Sequence, residues 1–197
     1  LNPKGVHQAQ QLGAYLAALS RQAGVTSIFQ QCVSSDLQRA HHTAQLLMSP
    51  WPHASILLNA GLRERNYGAL AGLTGQEMST QFPDDFDALQ KRKPEHVLPS
   101  GESLQQFYDR IVETFTDVLK QHPTGRLLVV AHGGVLDCIY RHCTGEPLPT
   151  PRQWLLPNAA INVIRQSKPQ TLEVLRWADQ HHLNSDTGED EVDGRIT

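Results

Sequence analysis

The chain has 197 residues, 39% hydrophobic and 19% charged, which is enough for one sizeable domain and too apolar for a disordered one. No apolar run reaches membrane-span length, and no basic stripe with interleaved aromatics argues for nucleic acid. The net charge is −3, yet from Ala178 onward six acids face one base, so the remaining body is slightly basic and suited to small anions.

Asn2-Pro3 opens a helix, since Asn caps well and Pro at the first helical position has no N–H to lose. Val6, Ala9, Leu12, Leu16 and Leu19 then recur at helical spacing, and Gly24 stops the run. A strand is predicted within Val25–Val33, with Ser34-Ser35-Asp36 as a turn and cap before a helix through Met48. Ile56-Leu57-Leu58 reads as a short strand. From Gly61 to Ser103 the pattern is irregular, with helical patches near Glu77–Phe82 and Phe86–Lys91, as expected of an excursion over one face. Ser103 and Gln106 form a capping box before a helix with the buried stripe Leu104, Phe107, Ile111, Phe115, Val118 and Leu119. Leu127–Ala131 lacks polar alternation and is expected to be buried on both faces. A helix from Gly134 to about Cys143 follows, then two strands, Ala160–Arg165 and Leu172–Trp177, joined by a turn at Lys168-Pro169. Alternating strands and helices imply an α/β domain, doubly wound, with a mainly parallel sheet and helices on both faces.

Three places collect polar chemistry. Val129-Val130-Ala131-His132-Gly133-Gly134 joins a buried strand to a helix N-terminus, where free amides and the helix dipole favour a phosphate. The same stretch also reads as a buried strand-to-helix turn with an incidental histidine. Arg39 lies about one turn into the second helix and can lean back over the sheet edge to grip phosphate, or can sit on the surface paired with Asp36. Glu64 lies between Arg63 and Arg65 and reads either as part of a solvated charge cluster or as a general acid. Flanking cations would lower its pKa, so proton donation would need burial or a nearby dianionic phosphate. Pro99–Ser103 is a turn into the long helix, with capping the favoured role for Ser103. Lys91-Arg92-Lys93 could attract a multiply charged substrate, but a basic turn balancing Asp84, Asp85 and Asp87 is the simpler reading. Cys32, Cys138 and Cys143 form no C-x-x-C, so neither a disulfide framework nor an oxidising compartment is expected, and the cytoplasm is. No histidine pair stands at metal-ligand spacing, so no metal is assigned.

Taken together, Ser34-Ser35-Asp36-Leu37-x-Arg39-Ala40-x-x-Thr43-Ala44, Leu62-Arg63-Glu64-x-x-Tyr67-Gly68, Gly101-Glu102-Ser103 and Ala131-His132-Gly133-Gly134 form an ordered set. The chain resembles the histidine phosphatase superfamily, also called the phosphoglycerate mutase-like family, from Leu1 to about Asn158–Arg165. The resemblance implies phosphoryl transfer without metal or other cofactor, through a phosphohistidine that water hydrolyses. It implies that Arg39, His132 and Gly133 hold the phosphoryl group and that Glu64 is the proton donor. The substrate is then a small phosphomonoester, and the resemblance suggests neither a nucleic-acid nor a membrane partner. Oligomeric state is left open.

The family's nucleophile lies in an Arg-His-Gly motif after its first strand, and no Arg-His-Gly occurs in these 197 residues. The chain starts at Leu1 rather than Met, and the motif is expected upstream. Residues 1–178 are therefore read as one histidine phosphatase-like domain lacking its N-terminal strand and loop. Residues 179–197 are read as an acidic, disordered tail. Loss of that strand, which lies inside the family's sheet, is expected to leave strand edges unpaired. Two other readings stand beside phosphatase: a cofactor-dependent phosphoglycerate mutase, disfavoured by the lack of longer insertions, and a catalytically inactive phosphate-binding module.

Overall fold

The side chain of Asn2 caps the first helix, α1 (Pro3–Gln22), accepting a hydrogen bond from Gly5 N at 2.8 Å. A computed structural model describes residues 1–168 and 171–183 of the chain. The turn at Pro169 and most of the acidic tail lie outside the described residues. After α1 come β1 (Gln31–Ser35), α2 (Gln38–Leu47), β2 (Ile56–Asn59), α3 (Gly75–Gln81), α4 (Pro83–Gln90), α5 (Leu104–Gln121), β3 (Leu127–Val130), α6 (Gly133–Thr144), β4 (Ile161–Lys168) and β5 (Thr171–Asp179).

Strand β1 runs through the middle of a parallel sheet ordered β2-β1-β3. Strand alternation sends Cys32 and Val130 to one face and Val33 and Val129 to the other. Leu12, Leu16, Leu47 and Met48 of the α1–α2 layer cover the first face, together with Trp51. Phe107, Ile111, Phe115, Val135 and Ile139 of α5 and α6 cover the second. Burying each such side chain stabilises the fold by roughly 1.5–3 kcal/mol. The expected parallel sheet with helices on both faces is the fold observed.

Two elements depart from expectation. The first strand extends to Ser35 rather than ending at Val33. Ser34 and Ser35 are fully buried and lie in register with Leu58 and Asn59. Ser34 Oγ donates to the Ser35 carbonyl at 2.9 Å, so its hydroxyl is satisfied locally and the strand can continue. Strand β3 is not buried on both faces: only Val130 is buried, and Leu127 to Val129 are partly exposed. It pairs with β1 alone among the described residues, whereas β4 and β5 pair antiparallel with each other. The hairpin nonetheless touches both cores, Ile161 on the α1–α2 side and Ile164 and Leu172 on the α5–α6 side.

The excursion from 61 to 103 has its own small core of Leu70, Met78 and Leu98. Tyr140 of α6 stacks on Trp154 at 4.1 Å and meets Trp177 of β5 edge-on at 4.7 Å. Among the described residues no helix is long and apolar enough to cross a membrane.

Candidate active site

Parallel strands end on the same side, so the segments after β1, β2 and β3 meet at one edge of the sheet. Ser34 lies beside Val130, and Ser35 beside Asn59. That register brings Asp36–Arg39, Ala60–Glu64 and Ala131–Gly134 to a single rim.

His132 occupies the N-cap position of α6 with extended backbone, and its ring is buried. Ring Nε2 meets Ser35 Oγ at 2.8 Å, and the same oxygen accepts from Leu37 N at 3.3 Å. Burial, and then the nearby Arg39, push the imidazole pKa down to about 4, with Asp36 opposing. At neutral pH the ring is uncharged. If Ser35 donates to Nε2, the remaining ring proton sits on Nδ1 and is free for an incoming acceptor. Gly133 is exposed at the first position of α6, with open space where a side chain would stand.

Arg39 is exposed and carries no ion pair among the described residues. Its expected structural partner, Asp36, is taken by Arg63 instead, with Nε to Oδ1 at 2.7 Å and Nη2 to Oδ2 at 2.5 Å. That pair holds the Asp36 carboxyl below its ordinary range. A guanidinium is thus left unpaired beside a neutral histidine.

Glu64 follows Leu62, which is buried in the α5–α6 core. Its flanking arginines do not hold it, contrary to the picture of a carboxylate between two cations. Arg63 turns to Asp36, and Arg65 is buried against the Glu102 carbonyl at 3.1 Å. Two backbone amides hold the carboxylate: Arg65 N donates to Oε1 and Gly134 N to Oε2, both at 2.9 Å. A Cβ on Gly134 would lie 2.2 Å from Glu64 Oε1 and would push the carboxylate aside. The second glycine of the motif therefore links the histidine turn to the acid.

Two supporting residues were not singled out from sequence. Ser35 orients His132, but was read as part of a turn. Glu102 accepts from Asn66 N and Arg110 Nη2, both at 2.7 Å, and so pins the Glu64 loop to α5. Ser103 caps α5 as expected, in a full capping box with Gln106. The residues expected at the site, Arg39, Glu64, His132 and Gly133, all lie on this rim. Among the described residues no cluster of three or more His, Cys, Asp or Glu is placed to hold a metal ion.

The matching family model is that of the histidine phosphatase superfamily (branch 1), and it spans residues 1–180. The chain is 31% identical to phosphoglycerate mutase-like protein 4 of Arabidopsis thaliana, over 93% of this chain and 76% of that protein. It is also 31% identical to the metal-independent phosphoserine phosphatase of the same plant, over 94% of this chain and 73% of that one. Among solved structures it is similar to Bacillus stearothermophilus YhfR, with a TM-score of 0.80 and 23% identity over 93% of this chain and 86% of the other. The alpha-ribazole phosphatase of Shigella flexneri superposes with a TM-score of 0.75 at 23% identity, over 91% and 85% of the two chains. These likenesses establish the fold, and the family model establishes the rest: this chain belongs to the histidine phosphatase superfamily.

Proposed function

We propose that the chain carries the phosphoryl-holding and proton-donating part of a metal-independent phosphomonoesterase that works through a phosphohistidine. The carrying observation is the unpaired Arg39 beside the buried, neutral His132, on the same rim as an amide-held Glu64. Phosphoryl transfer spreads negative charge over the equatorial oxygens, and a guanidinium fork with a ring N–H is suited to stabilising it. A nucleophilic histidine attacks phosphorus, the ester P–O bond breaks, and Glu64 delivers its proton to the leaving alkoxide. Water then attacks the phosphohistidine, with Glu64 taking the proton back.

The nucleophile belongs to an Arg-His-Gly segment upstream of Leu1. The outer edge of β3, unpaired among the described residues beside a hairpin that touches both cores, supports a strand there. The three free cysteines support a reducing compartment such as the cytoplasm. The test uses the product of the full parent gene, incubated with a radiolabelled phosphomonoester and quenched. An acid-labile, alkali-stable protein label with steady phosphate release is expected. A parent reading frame without Arg-His-Gly, or no label, overturns the enzyme. Phosphate binding without label would leave the second reading, a phosphate-binding module. Interconversion of 2- and 3-phosphoglycerate faster than phosphate release would identify a mutase instead.

A further inference from the structure

A cavity of about 370 Å³ opens off Glu64 and Gly134, and neither Arg39 nor His132 lines it. A proton donor serves the oxygen that departs, so the rest of the leaving group belongs beyond Glu64, away from the phosphoryl grip. The cavity is at the small end of ligand sites, which run from about 300 to 1,000 Å³.

Its far wall carries a surplus of positive charge. The Lys91-Arg92-Lys93 turn does not act as one unit. Lys91 and Lys93 both pair with Asp87 at 2.7 and 3.2 Å, and Asp85 pairs with His96. Arg92 instead adopts a left-handed backbone, φ 48°, and turns inward to line the cavity. Its Nε donates to the Leu148 carbonyl at 2.9 Å, and Nη2 lies 3.4 Å from Asp137 Oδ2. That same oxygen already accepts from Nε of the fully buried Arg141 at 2.9 Å. One carboxylate thus faces two guanidiniums. Arg141 lies behind the wall, whereas Arg152 lines the cavity with Arg92 and has no ion-pair or hydrogen-bond partner among the described residues. Burial of Arg92, with Arg141 and Arg152 nearby, pushes its pKa below the ordinary arginine value, as expected where positive charge lacks compensation.

We propose that this cavity selects a small leaving group bearing its own anion, carboxylate or phosphoryl, and that Arg92 and Arg152 are the specificity residues. The proposal rests on the reading of Glu64 as proton donor at a phosphoryl site. A planar guanidinium held by one edge, as Arg92 is, can present its other edge to either anion.

The test is calorimetric titration of the full parent protein, with the histidine of its Arg-His-Gly replaced by alanine to prevent turnover, against inorganic phosphate, glycerol 3-phosphate, 3-phosphoglycerate and glycerol 1,3-bisphosphate. The expected result is that 3-phosphoglycerate, the bisphosphate or both bind at least about tenfold more tightly than glycerol 3-phosphate, the scale of one charge-assisted hydrogen bond. Which of the two is preferred identifies the anion as carboxylate or phosphoryl. Arg152→Met is expected to shrink the preference and Arg152→Lys to retain part of it, and Arg92→Met to shrink it further. The Arg152 variants alter an exposed side chain, so they keep the test valid should Arg92→Met misfold. Equal binding of all three organic phosphates, or a preference surviving both Met variants, overturns the proposal while phosphate binding leaves the phosphoryl site intact. Failure to bind inorganic phosphate overturns the phosphoryl site itself, and the specificity proposal with it.

Discussion

Glu64 and Asp137 line one cavity and are held in contrasting ways. Two backbone amides orient Glu64, and both neighbouring arginines turn elsewhere. Asp137 is clamped by guanidiniums, one of them fully buried. Fixed amide dipoles aim a carboxyl group without neutralising it by a full charge. Glu64 is thus oriented without a paired cation, whereas Asp137 is held by ions. The rim also leaves Arg39 unpaired, while the wall commits Arg141 to the Pro147 and Thr150 carbonyls.

The sharpest way to break this contrast is Asp137→Ala. It strands the buried Arg141, and loss of one partner of a buried pair costs about 3–5 kcal/mol. Urea unfolding should show a loss of that size; a loss below about 1 kcal/mol would mean that ions do not hold the wall. Next comes the titration of His132. Its folded pKa of about 4 lies below the ordinary 6.5, so between those values the unfolded chain binds more protons. The His132 contribution is therefore complete above pH 6.5 and is lost as pH falls towards 4, about 3 kcal/mol in all. Between pH 7 and pH 4.5 the unfolding free energy of the unsubstituted chain should fall by about 2.5 kcal/mol more than that of His132→Gln. Parallel profiles would place the histidine in water. Gly134→Ala presses a methyl group onto Glu64 Oε1 and should cost about 1–3 kcal/mol. A neutral result in the same assay would mean that the acid loop yields easily. The smallest effect is expected from Ser35→Ala, about 1 kcal/mol for one lost hydrogen bond. It should also change the chemical shifts of the His132 ring in NMR spectra.

Much of the rim was legible because its motifs combine a strand period, a turn and a helix start in one short stretch. That punctuation put His132, Gly133, Arg39 and Glu64 just past strand ends, whereas their roles at a phosphoryl site came from the family resemblance. Partner choice was not legible. Arg63 and Arg65 flank Glu64 in sequence, yet side chains of consecutive residues on an extended loop point apart, and each arginine finds another partner. Ser34 and Ser35 look like turn residues because serine competes for backbone hydrogen bonds. Only the tertiary contact with His132 shows why β1 continues through them. The burial of β3 was overestimated for a similar reason. Apolar composition reports what a strand can bury, not which neighbours are beside it.

The Tyr140–Trp154 stack makes the cavity wall an optical reporter. Trp154 stands two residues from Arg152 and lies 4.8 Å beneath the Arg141 guanidinium, so charge entering the cavity perturbs an indole already polarised by a cation. Trp51, buried in the α1–α2 core against Phe29, supplies an indole insulated from that event. Of the three indoles, Trp154 and Trp177 therefore flank Tyr140 close to the buried Arg141, where added charge should shift their emission, and Trp51 reports on the α1–α2 core.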